Sequence, residues 1–68
     1  MNYKERLIHE HDELEEKCKK LRIMLDKYRS NTLDFKPNCS YDLLHEQYIH
    51  MMNYLSVLSF RLQIEGEK

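Results

Sequence analysis

Four side chains in the C-terminal half of the chain could do chemistry together: Gln47, His50, Tyr54 and Arg61, spaced by three, four and seven residues. On a helix those intervals keep them on one side. The set combines hydrogen-bonding groups, an aromatic face and a guanidinium, which suits a planar, phosphorylated ligand. Tyr54 would stack on a base and Arg61 would hold a phosphate through paired N–H donors. Phe35 and Lys36, in the stretch before this segment, are candidate lids.

Other reactive residues point to no further chemistry. The four histidines and two cysteines are badly spaced for a metal. His9 and His11 are two apart and diverge by about 200° on a helix, and His45 and His50, five apart, also diverge. The i,i+4 pair of a helical zinc site is missing, so no metal is expected. Serines stand at 30, 40, 56 and 59, and none lies in a strained nucleophile turn. With a single glycine, a tight oxyanion or phosphate cradle cannot readily form outside a helix N-terminus. No catalytic residue and no cofactor is expected; the chain reads as a non-enzyme.

The segment that carries the four candidates must also be packed. Leu44, Tyr48, Met51, Leu55, Leu58 and Leu62 recur at alternating steps of four and three, the apolar seam of a packed helix. A second apolar set, Leu43, Met52, Val57, Phe60 and Ile64, lies off that seam, and one partner helix cannot cover both. Ser40 is the expected N-cap, with Asp42 in the first turn, and Gly66 a suitable terminator. Helix 2 is therefore expected over about 41–64, dry and almost uncharged.

The partner is the N-terminal segment. Positions 7, 11, 14, 18, 21, 25 and 28 hold Leu, His, Leu, Cys, Leu, Leu and Tyr, a 4-3-4-3-4-3 spacing. Asn2 followed by Glu5 resembles a capping box, so helix 1 is expected over about 3–29. Acidic residues come first and basic residues last, which suits the helix dipole. Glu13-Lys17, Glu15-Lys19 and Glu16-Lys20 are favourable i,i+4 pairs. This charge run reads as a solvated face, with an anion-attracting patch at Lys19, Lys20 and Arg22 as the sharper alternative.

Residues 30–40 form the connection, with Leu33 and Phe35 expected to pin it and Phe35 to plug the open end of the hairpin. Antiparallel folding pairs positions whose numbers sum to about 72, so every seam position of one helix meets one of the other. His11 then becomes a polar seam residue, hydrogen-bonded to a neighbouring carboxylate. Arg61 lies near Glu10 and Asp12, where a salt bridge would explain it without a ligand.

The totals bound what such a hairpin can be. A chain of 68 residues makes one small domain and buries too little apolar surface to be comfortably stable alone. The expected fold is all-α: an antiparallel two-helix hairpin assembling into a homo-oligomeric bundle, a single domain over 1–68. A net charge of −1 with 34% charged residues predicts no affinity for duplex nucleic acid. No apolar run reaches bilayer length and no signal-peptide core succeeds the N-terminal charges, so a cytosolic protein with reduced cysteines is expected.

End to end, the chain resembles a family of small phage and prophage accessory proteins related to one encoded by crAss-like phages. The likeness is carried by Tyr3-Lys4-Glu5-Arg6-Leu7, Glu13-Leu14, Leu21, Leu25 and Thr32-Leu33-Asp34-Phe35. It continues through Leu43-Leu44-His45-Glu46-Gln47, Met51, Tyr54-Leu55, Leu58, Arg61 and Ile64-Glu65. The resemblance implies a bacterial-host cytoplasm and an inhibitor or decoy of bacterial defence, and it implies no site residue. In size and hairpin architecture the chain is also similar to the phage sponges that sequester cyclic nucleotide signals of CBASS and Thoeris immunity. Those are helical hairpins with ligand pockets between subunits, and this sequence does not carry their motifs. Sequestration of a cyclic nucleotide is thus the expected function. The alternatives are a protein-binding inhibitor of a host defence protein or assembly adaptor using the apolar face of helix 2, and a bare structural oligomer.

Overall fold

Helix α1 (Tyr3–Arg29) begins where the side chain of Asn2 accepts the free amide of Glu5 at 2.8 Å. Helix α2 (Tyr41–Gly66) begins in the same way, with the Ser40 hydroxyl accepting the amide of Leu43 at 3.2 Å. Each cap satisfies one of the orphan N–H groups of a first turn. This computed structural model describes residues 2–66, within which there is no strand. Helix α2 continues past the expected end at Ile64 as far as Gly66, the last of the described residues.

The end of α1 is made without glycine. Asn31 takes the left-handed conformation, φ 64°, while its amide donates to the carbonyl of Tyr28 and that of Thr32 to the carbonyl of Lys27 at 2.9 Å. This is a Schellman closure with asparagine in the place glycine usually holds. Asn31→Val is expected to destabilise the hairpin by about 1 kcal/mol and Asn31→Gly to cost nothing, because a branched side chain tolerates left-handed backbone poorly. Urea denaturation monitored by helical circular dichroism measures both.

The two helices lie antiparallel. Tyr28 meets Tyr41 near the turn, His11 meets Ser59 farther along, and Tyr3 meets Arg61 at the open end. The molecule extends 47 × 19 × 17 Å. Its buried side chains are Leu7, Cys18, Leu25 and Leu58, all seam positions, and the remaining seam residues of both helices are half-buried. The interhelix pairs sum to between 64 and 70, lower than the expected 72. The reach of Tyr, Glu and Arg side chains along the helix axes accounts for part of that offset.

The second apolar set is left uncovered by the described residues. Leu43, Met52, Val57, Phe60 and Ile64 are exposed, as is Ile49, and Phe60 is 69% exposed. The charge face of α1 is solvated, and of its three expected i,i+4 pairs Glu15–Lys19 closes at 3.8 Å. No described helix is long and apolar enough to cross a membrane.

Candidate functional site

The stripe on α2 is divided by what α1 offers it. Tyr54 donates its hydroxyl to the carboxylate of Glu10. Arg61, half-buried, donates to the hydroxyl of Tyr3 and stands over its ring at 5.8 Å from the centroid, a cation–π contact. The expected Arg61 salt bridge with Glu10 or Asp12 is therefore replaced. Glu10 is engaged by Tyr54, Asp12 turns to His11, and Tyr3 takes the guanidinium. Gln47 and His50 are exposed and bonded only along their own helix, Gln47 to the Met51 sulfur at 3.7 Å and His50 to Glu46 at 3.6 Å.

Both engaged residues have shifted protonation. The Tyr54 phenol is raised first by its hydrogen bond to Glu10, then by burial and the negative charge of that carboxylate, with Arg61 opposing. The Arg61 guanidinium, a cation in any case, is raised first by the Tyr3 hydroxyl that accepts from it. A raised phenol pKa stabilises the fold below the ordinary tyrosine value of about 10, and that stabilisation is lost as pH rises through the folded value. Phenolate absorbance during alkaline titration should thus show a late component from Tyr54. It is expected to disappear in Tyr54→Phe and to return to the ordinary range in Glu10→Gln.

Phe35 and Lys36 lie elsewhere. Phe35 is 59% exposed, so it does not plug the hairpin. The turn is instead closed by Tyr28, which packs edge-on against Tyr41, while Tyr41 stacks on His45. Tyr28, Leu33, Phe35 and Pro37 line an open cavity of about 470 Å³ together with the polar residues Asn31, Asp34 and Lys36. None of the four α2 stripe residues lines it.

A hydrogen-bonded chain of aspartate, histidine and serine also joins the helices. His11 contacts Asp12 Oδ1 at 3.1 Å through Nδ1 and Ser59 Oγ at 3.2 Å through Nε2. Ser59 sits in the interior of α2, where neighbouring amides are committed to the helix and none is free to stabilise an oxyanion. The chain of bonds therefore acts as an interhelix lock. Cys18 and Cys39 are free thiols, and burial, then the charge of Glu15, raises the pKa of Cys18. Among the described residues no three His, Cys, Asp or Glu side chains converge as a metal site would require.

Residues 1–64 match the model of the Sequestin family, which is nearly the whole chain. The chain belongs to the Sequestin family. Comparison with curated proteins and with solved structures gives no match. The family's name denotes sequestration, a binding role rather than a catalytic one. In this Sequestin-family chain, sequence reasoning overlooks Tyr3 and Tyr28 as site residues. Tyr3 stands four residues before Leu7, about one helical turn away and on the same face, which is the signal that points to it.

Proposed function

We propose that this Sequestin-family hairpin is a phage accessory protein that counters host defence by binding a cyclic nucleotide immune signal in the bacterial cytoplasm and withholding it without turnover. The reading rests on one observation: the Arg61 guanidinium hydrogen-bonds to a tyrosine hydroxyl, beside Tyr54, and Glu10 acts on it through its charge without a hydrogen bond. An arginine fixed in this way keeps its charge for a phosphate and loses little freedom on binding. Tyr54 offers a face to a base. His50 and Gln47 extend the same side of α2, whereas Lys36 and Phe35 lie at the turn and would reach this stripe only from another copy.

The protein is proposed to act as a homo-oligomer. Exposed Val57, Phe60 and Ile64 form an apolar strip beside the stripe, and a hairpin with four buried side chains gains most by covering that strip with another copy. The same exposure favours the second reading, an inhibitor that docks the strip on a host defence protein.

A thermal-shift panel of cyclic dinucleotides, cyclic trinucleotides and cyclic ADP-ribose isomers tests the ligand. At a hundredfold excess over Kd, binding adds about 2.7 kcal/mol, which raises the melting temperature of a domain this size by roughly 10–20 °C. Arg61→Gln is expected to abolish the shift. No stabilisation by any member of the panel would contradict the reading.

A further inference from the structure

The geometry points to the turn cavity as a second, separate base-binding site, one that takes the base and phosphate of a nucleotide independently of Tyr54. It rests on the proposed function only for the class of ligand. The cavity, about 470 Å³, falls within the range of about 300–1,000 Å³ that takes small ligands. The two ends of the loop that lines it are tied before any ligand arrives. The left-handed Asn31 and the Thr32–Lys27 bond set the chain's exit from α1. The Tyr28 hydroxyl donates to the carbonyl of Cys39 at 3.5 Å, and the edge contact with Tyr41, ring centroids 5.7 Å apart, holds the Tyr28 ring.

Phe35 is out of place as a core residue. A phenylalanine 59% exposed at the mouth of a tied loop adds little to folding, yet it faces the same cavity as the Tyr28 ring. An exposed aromatic ring stacks a planar base whatever the identity of that base. The residues on either side of Phe35 carry opposite charges, and both line the cavity. The Asp34 carboxylate can only accept, so it suits an exocyclic amino group or a pair of sugar hydroxyls and repels phosphate. The Lys36 ammonium takes the phosphate. Asn31 adds a carboxamide that can both donate and accept. A base with an amino edge and one phosphate, as in adenosine 5′-monophosphate, fits this order of groups.

The test is an amide chemical-shift titration of the full-length, isotopically labelled chain with adenosine 5′-monophosphate and, separately, with a cyclic dinucleotide. Adenosine 5′-monophosphate is expected to move the amides of Tyr28 and of residues 31–36, with saturation in the millimolar range. Phe35→Ala should weaken it by about tenfold, as loss of one stacked base implies, with the circular dichroism and melting temperature unchanged. Lys36→Ala should weaken the monophosphate but not adenosine. Shifts absent from the turn, or unaffected by Phe35→Ala, would overturn the inference. A cyclic dinucleotide that moves only residues around Tyr54 and Arg61 would uphold the proposed function and overturn the turn site. Turn shifts from the monophosphate with no response to any cyclic nucleotide would do the reverse.

Discussion

Leu58→Ala is expected to cost the hairpin about 2–5 kcal/mol, the range for removing a buried leucine from a core that cannot fully collapse. Leu58 has 0% exposure, the most buried side chain in the molecule, and it lies on the seam of α2 that faces α1. A domain of this length holds roughly 3–10 kcal/mol in total, at about 0.05–0.15 kcal/mol per residue. The substitution therefore removes a large part of the stability and should leave a substantial unfolded population at physiological temperature. Leu58→Met, which conserves volume, should cost less than about 1.5 kcal/mol. Equilibrium denaturation in urea measures both, and a small effect for alanine would mean that the seam does not carry the fold.

The second large effect concerns the outer strip of α2. Phe60→Glu, alone or with Val57→Ser, places a charge at the most exposed apolar position of the helix. The helices should form as before, because neither residue belongs to the seam. Light scattering should show the mass falling from that of an oligomer to that of one chain, since an apolar strip that joins copies cannot bury an unpaired carboxylate. A wild-type protein that is already monomeric would instead favour docking on another protein.

Much of this architecture is legible in the sequence because it depends on period and capping, which are local. The 4-3 spacing of Leu7 through Tyr28 and of Leu44 through Leu62 names the buried residues but not every half-buried one, Met24, Tyr41 and Arg61 among those it leaves out, and Asn2 and Ser40 both cap the helices they precede. The turn is less legible. Asn31 supplies the left-handed residue that glycine usually marks, and Phe35, which hydrophobicity alone would bury, is exposed.

The stripe is partly legible for a different reason. Spacing puts Gln47, His50, Tyr54 and Arg61 on one side of a helix, but the partners of Tyr54 and Arg61 come from the opposite helix, where the register decides. An offset of a few residues gives Arg61 the hydroxyl of Tyr3 as its hydrogen-bond partner, while Glu10, taken by Tyr54, acts on it through charge alone.

The measurement that bears most directly on sequestration is a bind-and-release experiment. The protein is incubated with each cyclic nucleotide of the panel, freed of unbound ligand, then heat-denatured, and the released ligand is identified by mass spectrometry. Saturable retention of at least one cyclic nucleotide, recovered intact and lost in Arg61→Gln, is the predicted result. Retention of none of them, or recovery of a cleaved product, would contradict it.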